Sequence, residues 1–279
     1  TSGGFGVLQI LSILEKFDTK FDYKNTILDE HLFLEASRLT YADRDAFIAD
    51  PAFFDVPLKE LLSDKYISKR SDLINLKKAV KDFQKGNPQK IKSKKLHSGI
   101  NHELPSTTHI SIVDRYGNAV ALTSSIEFAF GSGKTVGGFF LNNQLTDFSF
   151  LSHNKDQEKV ANSVAPKKKP RSSMAPTFVF KNNELVGVFG SPGGSRIICY
   201  VAKTLFYLIN FNTTLEEAIS LPHLCLRNKF SEIEKTLLKY DPSSNLRLLG
   251  HAITKKEMNR GLWTKDEKNK KDKKIIFIG

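Results

Sequence analysis

The chain predicts an α+β layered fold. Three observations point to it. Apolar residues recur at helical spacing through the first hundred positions. The period switches to two after residue 106, and a glycine-rich turn later feeds a long apolar helix.

The first helix rests on Val7, Ile10, Leu11, Leu14 and Phe17, which share one helical face behind Gly3-Gly4. Leu28, Leu32, Ala36 and Leu39 repeat the pattern in a second helix that runs into Tyr41-Ala42-Asp43-Arg44-Asp45. Pro51 and Pro57 break the chain beyond it. A short helix is expected over Leu58 to Leu62, and another over Leu73 to Phe83. Residues 85 to 106 turn to lysine, glycine, asparagine and proline, the composition of an exposed loop or linker. His109 to Val113 then alternates as a strand, Asp114 to Asn118 is a turn, and Ala119 to Thr123 returns as its hairpin partner. Phe139 to Leu141, Thr177 to Lys181 and Leu185 to Phe189 are further strands, the last two joined by the tight turn Asn182-Asn183. A helix follows from Ser195 to Ile209, and Thr213-Thr214-Leu215-Glu216 reads as a capping box opening one more. Ile275 to Ile278 reads as a final strand, and no internal repeat is evident.

Composition sets the outer bounds. The chain has 279 residues, 40% of them hydrophobic, which suits one large or two small globular domains. Net charge is +12, with lysine runs at 92–95, 167–169 and 268–274. Those runs are separated and lack interleaved aromatics, so they read as solvated loops and not as a nucleic-acid surface. Cys199 and Cys225 are too few for a disulfide framework and read as two buried thiols, leaving the redox compartment open. No stretch has the apolar length of a membrane span. The chain opens Thr1-Ser2-Gly3-Gly4 without an initiator methionine or a signal peptide, so it reads as a piece of something longer.

Several short constellations carry chemistry. Pro105-Ser106-Thr107-Thr108-His109 stands between the linker and the hairpin. One cleavage there would make Thr107 a first residue, carrying a hydroxyl nucleophile and its own α-amine as base. Thr123-Ser124-Ser125 ends the paired strand, which can bring the Ser125 hydroxyl near Thr107. Gly190-Ser191-Pro192-Gly193-Gly194 lies between strand and helix, where exposed N–H groups suit an oxyanion. Asn142 to Asp147 offers amides and a carboxylate for an ammonium group, and Arg171-Ser172-Ser173-Met174 offers hydroxyls for a carboxylate. Gly131-Ser132-Gly133-Lys134-Thr135 imitates the end of a phosphate-binding loop, but Phe128 stands where its first glycine is required. The seven histidines show no metal-ligand spacing, and His109 reads as packed or hydrogen-bonded.

Taken in order, these motifs resemble the γ-glutamyltransferases (glutathione hydrolases). The resemblance is carried by Thr107-Thr108-His109-x-Ser111, Gly117-Asn118-Ala119-Val120, Thr123-x-Ser125 and Phe130-Gly131. It continues through Leu141-Asn142-Asn143-Gln144-x-x-Asp147-Phe148, Ser172-Ser173-Met174-x-Pro176-Thr177 and Gly190 to Arg196. Upstream, Ser2-Gly3-Gly4, Tyr41-Ala42-Asp43-Arg44, Asp50-Pro51 and Val56-Pro57 resemble the end of that family's large subunit. It covers roughly residues 1 to 227.

The resemblance implies an N-terminal nucleophile hydrolase fold, an αββα sandwich incomplete at its N-terminus. It implies residues 1–106 as the C-terminal part of a large subunit and 107–279 as a small subunit, released by self-cleavage between Ser106 and Thr107. Thr107 would be the nucleophile and Ser125 its orienting partner, with Gly193 and Gly194 holding the oxyanion. Gln144 and Asp147 would grip the substrate α-amino group, Ser172 and Ser173 its α-carboxylate, with Glu127 beside them. The donor would be glutathione or another γ-glutamyl compound, the acceptor water, an amino acid or a peptide, with neither cofactor nor metal required. Periplasmic or secreted location is the family expectation. Ser125 replaces the family's threonine, Glu127 stands where many members carry asparagine, and an upstream arginine that pairs with the substrate carboxylate precedes this chain. Lacking that segment, a truncated inactive remnant is the alternative reading.

Overall fold

A computed structural model describes residues 2–17, 26–81, 84–88, 106–153, 157, 159–211, 213–227, 230–235 and 241–258. Most of the expected linker, the lysine runs at 92–95 and 268–274, and the expected strand Ile275 to Ile278 lie outside the described residues.

Helix and strand are mixed along the chain, as an α+β fold requires. Helix α1 (Ser2–Leu14) and helix α2 (Thr26–Phe47) carry the two apolar stripes read from the sequence. Short helices α3 (Leu58–Leu61) and α4 (Asp64–Ser71) follow the prolines. Strands β1 (Thr107–Val113) and β2 (Ala119–Ser125) form the first hairpin. Strands β3 (Thr135–Val136) and β4 (Phe139–Phe140) form a second, very short one. Strands β5 (Thr177–Lys181) and β6 (Glu184–Phe189) form a third, across Asn182 and Asn183, whose φ values of 51° and 65° suit asparagine. A 3₁₀ turn at Gly194–Arg196 leads into α5 (Ile197–Asn210), and α6 (Leu215–Ser220) comes next. Strands β7 (Leu224–Leu226) and β8 (Ser231–Glu234) pair antiparallel. After α7 (Ser243–Leu248), β9 (Ile253–Lys256) joins β8 in parallel.

Helix α5 is the centre of the molecule. It is buried from Ile197 through Tyr207, and the one buried cation on it, Lys203, donates to Leu221 O at 2.7 Å. Ile10, Ile13, Leu32, Leu39, Ile198, Val201 and Ala202 pack in one core with Leu224 and Leu226. Residues before and after Thr107 therefore share a single core. The hairpins bury one face and leave Val120, Leu122, Phe178 and Phe180 exposed on the other.

Three expectations are corrected. The segment Leu73 to Phe83 is turn and irregular over its described residues, not helix. Its backbone donors go elsewhere: Lys77 N–H to Asn75 Oδ1 (2.9 Å), Ala79 N–H to Leu249 O (2.6 Å) and Val80 N–H to Glu35 Oε2 (3.2 Å). The capping box sits one residue later than read, with Thr214 as cap and Glu217 as its reciprocal partner. Cys199 and Cys225 are not thiols but a disulfide, linking α5 to β7 with Cα atoms 5.5 Å apart.

Candidate active site

Register places Thr107. In the first hairpin Thr107 faces Ser125 across the ladder, and Thr107 Oγ1 donates to Ser125 Oγ at 3.3 Å. Ser125 Oγ also accepts from Glu127 N–H at 3.0 Å, so the hydroxyl is fixed from two sides. Glu127 takes a left-handed backbone at φ 76°, which any side chain but glycine adopts with strain. Ser106 Oγ donates to Glu127 O, tying the residue before Thr107 to the same turn.

The strand below holds the glycine turn in place. His109 is 2% exposed, with Nδ1 2.7 Å from Thr123 Oγ1 and Nε2 2.9 Å from Ser111 Oγ. Ser111 Oγ donates to Val188 O at 3.2 Å, connecting β1 to β6. A Cβ at Gly190 would fall 2.0 Å from the His109 ring, so only glycine lets β6 end against it. Burial pushes the His109 pKa down to about 4, and the imidazole is neutral at physiological pH. The expectation of a hydrogen-bonded histidine holds.

Past Gly190 the chain turns into α5. Gly193 has φ 134°, and a Cβ there would also meet the Tyr200 ring at 2.6 Å. Tyr41 Oη donates to Ser195 O, while lying 3.7 and 3.9 Å from the two disulfide sulfurs. Arg227 Nη1 donates to Ser195 Oγ. Arg227 and Arg196 both pair with Glu232 at 2.9 Å. Burial alone would raise the Glu232 pKa, but hydrogen bonds from Arg196 and Lys256 and the Arg227 charge together hold it at about 2.

The polar segments converge on these residues. Gln144 opens a 3₁₀ turn ending at Asp147; its Nε2 donates to Asp147 Oδ2 and, at 3.4 Å, to Glu127 Oε2. On the opposite wall Arg44 Nη2 donates to Ser173 Oγ at 2.5 Å, and Arg44 Nε to Ser2 Oγ at 2.8 Å. Ser2 Oγ in turn donates to Ser172 O at 2.7 Å. Thr107, Ser125, Glu127, Gln144, Asp147, Ser172, Ser173, Met174, Gly194 and Ile197 line one small pocket open to solvent. Every site residue expected from the sequence is there except Gly193, one position outside the lining. Sequence reasoning missed Met174 and Ile197 as walls and Arg44 as the group that fixes Ser173. The phosphate-loop imitation at Gly131 to Thr135 is a turn into the short strand β3, with no helix behind it.

Such a pocket can place a hydroxyl nucleophile beside amide donors, with acidic and amide groups on one wall and hydroxyls on another. Away from it, His31, Glu35 and His251 are buried together with donor atoms within 4.8 Å of one another.

The gamma-glutamyltranspeptidase family model matches residues 1–265. The glutathione hydrolase proenzyme of Bacillus subtilis (strain 168) is 37% identical over 261 residues, covering 91% of this chain and 43% of that protein. The chain thus spans less than half the length of this relative. The Helicobacter pylori gamma-glutamyltranspeptidase T380A mutant has a TM-score of 0.50 at 38% identity, over 55% of this chain and 87% of that one. A cephalosporin acylase from Bacillus halodurans has a TM-score of 0.74 at 25% identity, over 90% of this chain and 42% of that one. This chain belongs to the gamma-glutamyltranspeptidase family.

Proposed function

We propose that the protein containing this chain transfers γ-glutamyl groups from glutathione and related compounds to water, amino acids or peptides. Residues 1–106 would be the end of its large subunit and 107–279 its small subunit, within an N-terminal nucleophile hydrolase sandwich. The observation that carries the reading is the Thr107–Ser125 hydroxyl pair opening into the pocket that Gly194 closes.

Maturation comes first. Thr107 Oγ1 attacks the Ser106 carbonyl carbon, the C–N bond breaks, and the acyl group moves to oxygen. Water hydrolyses that ester, leaving a Ser106 carboxylate and a free Thr107 amine. With a pKa of about 7.7–8.0, a free α-amine can take the Thr107 proton near neutral pH. The oxygen then attacks the γ-carbonyl of the donor, and the amine returns the proton to the leaving nitrogen. The N–H groups of Gly193 and Gly194 hold the oxyanion, a contribution on the order of 3 kcal/mol per donor. Gln144 and Asp147 take the substrate α-ammonium, with Glu127 adding negative charge, and Ser172 and Ser173 take its α-carboxylate. Water or an acceptor amine releases the γ-glutamyl group. Nucleophile and base reside on one threonine, so the reading calls for no cofactor. The exposed Val120, Leu122, Phe178 and Phe180 support a further large-subunit segment packing on the hairpins. An arginine from that segment would complete the carboxylate site.

N-terminal sequencing tests the reading directly. A new chain beginning Thr107-Thr108 is expected, and Thr107→Ala should abolish both that chain and release of a chromogenic γ-glutamyl anilide. Turnover surviving in Thr107→Ala would overturn the mechanism. Cleavage without turnover would favour the truncated, inactive alternative.

A further inference from the structure

We propose that His31, Glu35 and His251 form a binding site for a zinc-type divalent cation that fastens α2 to the β7–β9 sheet. The site lies apart from the active-site pocket, and linear spacing hid it, since His31 and His251 are 220 positions apart.

The donor set is the first argument. His31 and Glu35 are four residues apart on α2 and so share a face. His251 enters from the turn before β9, with its Nε2 2.8 Å from His31 Nδ1. One donor atom from each of the three residues lies within 4.8 Å of the others, and all three side chains are buried. Two imidazoles and one carboxylate suit zinc better than calcium or magnesium, which prefer sets of oxygens.

The surroundings are the second argument. His31 Nε2 is 2.8 Å from Asn75 O, which can only accept. Nε2 therefore carries the proton, and Nδ1 turns its lone pair inward. A backbone carbonyl behind a histidine is a usual support for a metal ligand. His251 Nδ1 is 3.0 Å from Ser231 Oγ, which can accept as well as donate. In the metal-free chain His251 Nε2 donates to His31 Nδ1; an ion between the two rings would move that proton to His251 Nδ1, where Ser231 Oγ accepts it, and free Nε2 as a second lone pair. Glu35 Oε2 accepts from Val80 N–H at 3.2 Å, while Oε1 is buried without a hydrogen bond. Arg38 Nη2, 3.7 Å from Oε1, is the opposing group, and an ion must displace that loose pairing. Tetrahedral zinc with N–Zn bonds of about 2.0–2.1 Å also needs the two nitrogens to part by about 0.5 Å. With water as fourth ligand, the ion would join ligands from before and after Thr107. Holding the two pieces together after cleavage is a consequence that rests on the proposed function.

The test uses the full chain, stripped with chelator and titrated with zinc alone. One equivalent retained after dialysis and a raised unfolding midpoint are expected. Cobalt in its place should show the intense visible bands of a tetrahedral site. Ser231→Ala should weaken zinc binding roughly 10–100-fold. Glu35→Gln, which keeps the side-chain volume, should lose stoichiometric uptake while circular dichroism stays unchanged, and His251→Asn should behave alike. No uptake by the wild-type chain, or equal uptake by Glu35→Gln, overturns the site. The same titration on Thr107→Ala separates the two ideas, since that chain should stay uncut yet take up zinc like the wild type.

Discussion

The hydroxyl pair at the head of the first hairpin has a simple physical origin. Antiparallel pairing sets Thr107 opposite Ser125, and residues directly opposite on one face are each other's nearest cross-strand neighbours. Ser125→Thr keeps the acceptor oxygen and should leave anilide turnover within a few-fold of wild type. Ser125→Ala removes the bond to Thr107, worth about 1 kcal/mol, along with the one from Glu127 N–H, so a drop on the order of tenfold in kcat is expected. Equal rates for Ser125→Ala and wild type would show that the pair does not orient the nucleophile. These residues were legible because short polar motifs flank strands whose period fixes their facing. Arg44 was visible only as part of a motif, and its task was not, because its partners Ser2 and Ser173 are brought together by tertiary packing. Arg44→Lys cannot make both bonds, since the planar fork becomes a single point charge. KM for the γ-glutamyl donor should rise roughly 10–100-fold, for one charged hydrogen bond of roughly 1.5–3 kcal/mol, with kcat changing less.

At the scale of elements, strong periodicity proved reliable and local ambiguity did not. Helices α1, α2 and α5 and the β1–β2 and β5–β6 hairpins follow from apolar spacing and turn residues, whereas of the β3–β4 hairpin only the second strand was legible. The stretch after Leu73 has helical spacing too, yet Leu73 and Leu76 stay exposed while Ile74 and Ala79 are buried. Long-range partners, Leu249 and Glu35, captured its amide groups. Helix α4 was missed, although Ser63 caps it by accepting from Tyr66 N–H. The cysteines were misread because pairing depends on α5 lying against β7, which spacing along the chain does not reveal. Their disulfide closes a loop of 26 residues. Replacing both cysteines by alanine should cost about 3–4 kcal/mol in denaturant unfolding. Turnover should fall as well, since Tyr41, touching both sulfurs, anchors the Ser195 carbonyl beside the glycine turn. Lost stability with unchanged turnover would show that the anchor does not depend on the bridge.

For the whole molecule, buried titratable groups set the response to acid. Burial holds the His109 pKa at about 4 against 6.5 for a free imidazole. Burial, followed by the His31 and Arg38 charges, holds His251 at about 3. A depressed histidine contributes stability that is whole above pH 6.5 and disappears as pH falls through the folded value. Glu232, held at about 2 against 4.5, contributes stability that is whole above 4.5 and lost as pH falls through 2. Glu35 runs the other way: burial raises it to about 7, so its contribution is whole below 4.5 and lost as pH rises through 7. Between 6.5 and 4.5 the gain at Glu35 partly offsets the loss at the histidines. Below 4.5 that offset stops growing while Glu232 joins the loss, so the decline steepens there. Thermal unfolding midpoints of the chelator-stripped chain, followed from neutral pH to about 3, should show a shallow fall and then a steep one. His109→Gln, neutral at every pH, should remove part of the shallow fall and leave the Glu232 portion intact. A midpoint that stays level below 4.5 would mean that the Arg196–Glu232–Arg227 cluster does not hold its charge in the fold.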